Sequence, residues 1–160
     1  MEFRIAERDD LIAIVAMLAD DGLARRRETK HGSLPPSYYD AFDAITRDDN
    51  QELIVAESDQ GEIVATFQLS FLQYLTYRGG LRAQIEAVRV RSDLRGKGVG
   101  EQMLRWAIER ATQRGAHMVQ LTTDKQRSGT QRFYERLGFV ATHEGMKLHL
   151  GLSASPPEPG

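Results

Sequence analysis

Between residues 88 and 100 the chain reads Val88-Arg89-Val90-Arg91-Ser92-Asp93-Leu94-Arg95-Gly96-Lys97-Gly98-Val99-Gly100, and these residue types can do chemistry. Three glycines fall within five positions, directly before a segment of helical periodicity. Without Cβ atoms, such a backbone can turn tightly and come close to a ligand. The amides of the first helical turn have no intrahelical partners and lie at the positive end of the helix dipole. Together they make an anion site suited to phosphate or pyrophosphate, with Arg95 and Lys97 adding charge at its rim. Two familiar phosphate loops fail on spacing. G-x-G-x-x-G would need glycine where Glu101 stands, and G-x-x-x-x-G-K-[ST] fails because Lys97 is followed by Gly98. What stands here is R-x-x-G-x-G, carried by Arg95, Gly98 and Gly100.

The elements that must position this loop are readable on both sides of it. After it, Val99, Met103, Leu104, Ala107, Ile108 and Ala111 recur at helical spacing, with Glu101, Arg105, Glu109 and Gln113 on the other side. Gly115 is a natural stop. Before it, Gln84-Ile85-Glu86-Ala87-Val88-Arg89-Val90 reads as a strand. Val88 and Val90 share a face, but Ile85 is out of phase with them. That slip marks either a strand buried on both faces or a bulge.

The rest of the chain supplies a frame. Residues 2 to 7 form a short first strand. Asp9 or Asp10 caps a helix with Leu11, Ile14, Val15 and Leu18 on its apolar face, and Gly22 ends it. Residues 23 to 36 are polar and basic, a connection closed by Pro35-Pro36. Ser37 caps a second helix bearing Tyr38, Phe42 and Ile45. Residues 52 to 58 and 62 to 74 read as a hairpin across Asp59-Gln60-Gly61, and residues 75 to 81 as a loop. Residues 118 to 123 form the next strand. A short helix from Ser128 or Thr130 carries Phe133, Tyr134 and Leu137, and Gly138 suits its C′ position. Strands over 139 to 142 and 146 to 150 complete the pattern. Residues 1 to 150 are expected to be one domain, and 151 to 160, with Pro156-Pro157 and Pro159, a disordered tail.

Three ordered segments, the 84–90 strand, the R-x-x-G-x-G loop and Arg132-Phe133-Tyr134-Glu135-Arg136-Leu137-Gly138-Phe139, together resemble the core of the GNAT (GCN5-related) N-acetyltransferases. The matched core covers roughly residues 82 to 140. The resemblance implies an α/β (α+β) fold: a mixed, mostly antiparallel twisted sheet flanked by helices, with a splayed central parallel strand pair. It also favours the bulge, because the family splays this strand from the next so that the pantetheine arm of acetyl-CoA lies between them.

The resemblance assigns roles as well. Val88 and Val90 would pair with pantetheine through their backbones, with Arg89 between them. Arg95, Gly96, Lys97, Gly98, Val99 and Gly100 would hold the pyrophosphate. Tyr134 matches the tyrosine that relatives place beside the CoA sulfur, where a phenol titrating near 10 is matched to a departing thiolate. Glu86, at the slip, is the candidate base; a carboxylate would act through water on an ammonium. Its other reading is a strand carboxylate paired with Arg82 or Arg89. Many relatives carry an asparagine after the fifth strand, and none stands in residues 122 to 128. Asp124 or Ser128 is the substitute.

Composition narrows the class. The 160 residues have a formal charge of -2 and no cysteine. That disfavours a broad nucleic-acid surface and excludes disulfides, thiolate metal sites and a cysteine nucleophile. The four histidines, His31, His117, His143 and His149, show no metal-ligand spacing, so no metal is expected. The chain has no apolar run near 20 residues and no signal-peptide pattern, giving the expectation of a cytoplasmic protein without a membrane partner. The expected activity is acetyl transfer from acetyl-CoA to a primary amine of a small molecule, by direct attack in a ternary complex. Acetylation of a protein lysine or N-terminus, or non-catalytic acyl-CoA sensing, are the alternatives. A homodimer through the C-terminal strands is a further implication of the resemblance.

Overall fold

The computed structural model describes residues 1–20, 34–124, 129–148 and 150. Gly22, most of the basic connection, His31, Ser128, His149 and the expected tail lie outside the described residues. In chain order the elements are β1 (Glu2–Ile5), α1 (Leu11–Ala19), α2 (Pro36–Arg47), β2 (Gln51–Glu57), β3 (Ile63–Gln73), the single turn α3 (Thr76–Gly79), β4 (Leu81–Val90), α4 (Val99–Gln113), β5 (Met118–Leu121) and α5 (Thr130–Arg136). The strands form one sheet in the order β1-β2-β3-β4-β5. Every neighbouring pair is antiparallel except β4 with β5, which α4 connects. A parallel pair needs such a crossover. The mixed, mostly antiparallel sheet between helices matches the expected fold class.

One sheet face packs on α4. Ile54, Phe67, Leu69, Ala83 and Ile85 are buried there with Met103, Leu104 and Ala107. Each large apolar side chain buried this way stabilises the fold by about 1.5–3 kcal/mol. Phe133, Tyr134 and Leu137 of α5 add to the same face. On the other face Leu11 and Ile14 of α1 and Phe42 of α2 pack around Val55. The far end of α4 is fixed by charge. Glu52, buried on β2, accepts from Arg110 at 2.6 and 2.9 Å and from Arg114 at 3.0 Å. These hydrogen bonds, against partial burial, hold the Arg110 guanidinium above its ordinary value. The clamp orients α4, and so orients the loop at its N-terminus.

Several expected details differ. α2 starts at Pro36 with proline in its first turn, so Ser37 lies inside the helix rather than capping it. Proline's fixed φ favours that position. Asp10 does not cap α1 with its side chain. Its carboxylate instead takes Arg4 at 2.7 and 3.0 Å and the Glu7 amide at 2.7 Å. Burial pushes this carboxyl up, but the hydrogen bonds from Arg4 and Glu7 outweigh it and leave it below its ordinary value. The 75–81 loop contains a turn in which Tyr77 and Arg78 have positive φ, 55° and 57°. The two C-terminal strands do not form: no described residue after Arg136 is in a strand. Met146 and Leu148 are almost fully exposed. Alternation makes a strand only where an edge and an apolar face receive it.

Candidate active site

The site grows from one irregularity in β4. From Arg82 to Ile85 the strand pairs with β3 on one side and with β5 on the other, ending at Ile85 opposite Leu121. Beyond Ile85 the β5 pairing stops. On the β3 side Gln68 faces Glu86 and Thr66 faces Arg89, so β4 carries one extra residue: a bulge. Ala87 takes the left-handed φ of 53° that makes it. The out-of-phase Ile85 is thereby explained. Ile85 is in the α4-face core, whereas Val88 and Val90 follow a residue that resets the alternation.

The bulge leaves Glu86 to Val90 paired on one side only, and the backbone there turns its free groups outward. The Arg91 amide donates to the Val64 carbonyl of β3 at 2.9 Å. By antiparallel alternation the N–H and C=O of Val90 therefore face away from β3, on the side where the β5 pairing has stopped. The carbonyls of Val88 and Val90 accept from side chains instead, from Arg89 Nη1 at 2.8 Å and Arg95 Nε at 3.1 Å. Arg95 also reaches Asp20, just past α1, at 2.8 Å. So Arg95, expected at the pyrophosphate, bridges the free edge of β4 to the end of α1.

This edge of β4 leads into the glycine loop. Arg91 grips Asp93 through two hydrogen bonds, at 2.7 and 3.1 Å, and Glu62 through a third at 3.1 Å. These bonds hold the exposed Asp93 carboxyl below its ordinary value. The pair shapes the turn that enters the loop. Gly96 and Gly98 both have positive φ, 75° and 83°, and a Cβ on either would meet open space. Their side of the loop is therefore a bare backbone cradle in a conformation other residues rarely adopt. The Gly98 carbonyl accepts the first bond of α4, from Gln102. The amides of Val99, Gly100 and Glu101 precede that first intrahelical donor. A Gly100 Cβ would lie 3.6 Å from Phe133, so this glycine also lets α5 approach α4. Lys97 is exposed at the rim, while Val99 is buried in the core, which leaves only its backbone for a ligand.

Glu86 is exposed on the sheet face opposite α4, because it alternates with the buried Ile85. It does not pair with Arg82 or Arg89, as a purely structural strand carboxylate would; it accepts from Gln84 Nε2 at 2.8 Å. Gln84 in turn accepts from Gln120 Nε2 of β5 at 2.6 Å. Sequence reasoning passed over both glutamines. Gln84 carried a signal, its i, i+2 spacing to Glu86, which puts the two on one strand face; Gln120 carried none. Tyr134 lies on the other side of the sheet. Its half-buried ring packs on the α4-face core, 5.3 Å from Phe133 and 5.8 Å from Phe139. Gly138, with φ of 91°, ends α5 in a Schellman turn: Gly138 N–H donates to Glu135 and Phe139 N–H to Tyr134. Glu86 and Tyr134 thus stand on opposite faces, with the one-sided stretch of β4 between them. Asp124 is exposed beyond β5.

A model of the acetyltransferase (GNAT) family matches residues 19–139. The chain belongs to this family. The GNAT core so matched includes the bulged strand, the glycine loop and α5. Among characterised relatives, the chain is 32% identical over 107 residues to an aminoalkylphosphonate N-acetyltransferase of Salmonella typhimurium, a stretch covering 67% of this chain and 68% of that protein. It is 35% identical over 101 residues to an L-methionine sulfoximine/L-methionine sulfone acetyltransferase of Pseudomonas paraeruginosa, covering 61% of this chain and 55% of that one. A solved structure from Bacillus halodurans, described as a transcriptional regulator, is 54% identical with a TM-score of 0.89 and covers 92% of this chain and 98% of its own. Among the described residues no cluster of three or more His, Asp or Glu is placed to hold a metal, and no helix is long and apolar enough to cross a membrane.

Proposed function

We propose that this GNAT protein transfers an acetyl group from acetyl-CoA to the primary amine of a small polar molecule. The observation that carries the reading is the continuity of the open β4 edge with the glycine loop. A strand edge with outward-facing amide and carbonyl groups leads directly into a bare backbone cradle at a helix N-terminus. The first suits the amides of pantetheine, at Val88 and Val90. The second suits a pyrophosphate, at Gly96, Gly98 and Gly100, with Lys97 at the rim. Pantetheine pairing there displaces the Arg89 and Arg95 guanidiniums from the Val88 and Val90 carbonyls. Asp124 or Ser128 takes the contact that an asparagine makes in many relatives.

The two faces of the sheet divide the chemistry. The amine approaches the face that carries Glu86, which removes its proton through water, since an alkylammonium has no lone pair. The nitrogen attacks the thioester carbonyl. A backbone N–H beside the bulge donates to the oxyanion. As the C–N bond forms and the C–S bond breaks, Tyr134 gives its phenolic proton to the departing thiolate. A small acceptor is favoured by the substrates named for the Salmonella and Pseudomonas relatives. A protein amine is the alternative acceptor.

The test is release of free CoA thiol from acetyl-CoA across a panel of amines that includes an aminoalkylphosphonate, L-methionine sulfoximine and a lysine peptide. Turnover with a small amine is expected, and Tyr134→Phe should lower kcat by about 100-fold, the low end of the usual range for a general acid, with acetyl-CoA affinity unchanged. The Bacillus halodurans description favours one second reading, an acyl-CoA sensor without turnover. Tight acetyl-CoA binding with no thiol release from any amine would establish it.

A further inference from the structure

We propose that Gln84, itself held by Gln120, is a positioning residue for the Glu86 carboxylate. The proposal rests on the reading of Glu86 as the base. Three side chains from two strands form a chain on one sheet face. Gln120 Nε2 donates to Gln84 Oε1 at 2.6 Å, and Gln84 Nε2 donates to Glu86 Oε1 at 2.8 Å.

The direction of this relay is set by chemistry. An ionised carboxylate only accepts, so Gln84 must turn its amide nitrogen to Glu86. That leaves the Gln84 oxygen toward β5, and only the nitrogen of Gln120 can satisfy it. One charge thereby orders both amides, which are otherwise free to flip.

The relay spans the fork. Gln84 and Gln120 are register partners in the parallel ladder, one rung before it ends at Ile85 and Leu121. Glu86 is the first residue past that end, exposed, and next to the left-handed Ala87. A glutamate in such a place loses rotamer freedom when it is fixed. The relay fixes it from the rigid side, before substrate arrives. It engages Oε1 and directs Oε2 to the acceptor or its water. Misplacement by about 1 Å can cost a catalytic group as much as 100-fold, so positioning of this kind shows in kcat.

The experiment is a cycle of Gln84→Met, Gln120→Met and Glu86→Gln, assayed by thiol release with an aminoalkylphosphonate or L-methionine sulfoximine, with thermal melts to establish folding. Methionine keeps the length and removes the hydrogen bonds. Gln84→Met should lower kcat about tenfold and Gln120→Met about threefold, both with unchanged KM for acetyl-CoA. Because the residues act in series, the double variant should be no slower than Gln84→Met alone. In the Glu86→Gln background, Gln84→Met should have no further effect. A merely structural role would lower activity equally in both backgrounds. Wild-type kcat in both methionine variants, or a Gln84→Met loss undiminished in Glu86→Gln, would overturn the relay and leave the base standing. A Glu86→Gln protein at the wild-type rate, or no turnover with any amine, overturns the base and the relay with it.

Discussion

The two halves of β4 make the most instructive contrast in this molecule. Residues 82 to 85 are hydrogen-bonded on both sides, to β3 and to β5. Residues 86 to 90 belong to the same strand and are paired only with β3. One extra residue, with a left-handed backbone at Ala87, separates a piece of core from a strand edge left unpaired by β5. The closed half spends its backbone groups on the sheet and its side chains, Ala83 and Ile85, on the α4 core. The open half keeps backbone groups in reserve. In the proposed function, binding capacity comes from pairing withheld, with little specialised side-chain chemistry.

That contrast can be broken by placing one substitution in each half. Ala83→Pro removes an amide from a strand paired on both sides, so a loss of about 3 kcal/mol or more, or failure to fold, is expected in urea denaturation. Val90→Pro removes an amide that faces away from β3, on the side β5 leaves unpaired. Its cost in stability should stay within about 1 kcal/mol, while acetyl-CoA binding weakens about tenfold, the worth of one hydrogen bond. Equal destabilisation by the two would show that the open half is not open. A smaller effect sharpens the hinge between the halves. Ala87→Gly should preserve the bulge and raise stability by up to about 1 kcal/mol, because glycine adopts positive φ without a Cβ penalty. Ala87→Val should do the reverse in the same denaturation series.

The same contrast explains what could be read from the chain beforehand. The glycine loop and α4 were legible because their signals are local: Gly96 and Gly98 do need positive φ, and the 99–111 periodicity does face the core. The phase slip at Ile85 was legible, but only the family resemblance favoured a bulge over a strand buried on both faces. The Gln84–Gln120 pair was not, because its register depends on how a crossover helix returns β5 to β4. Met146 and Leu148 misled for the opposite reason. Their alternation is a strand signal, but a strand is a relation between two segments, and no described segment receives them. The clamp of Arg110 and Arg114 on Glu52 was equally silent, joining residues far apart in sequence.

The most direct measurement is calorimetric titration of acetyl-CoA into the wild-type protein and into Gly98→Asp. The change puts a side chain and a negative charge at the mouth of the cradle, where φ is 83° and a Cβ meets open space. Saturable binding by wild type is expected, with at least a 100-fold loss in a Gly98→Asp protein that still melts cooperatively, about 2.7 kcal/mol or more. Undiminished binding by Gly98→Asp, or no binding by folded wild type, would contradict the assignment of the bulged strand and glycine loop as the acyl-CoA site.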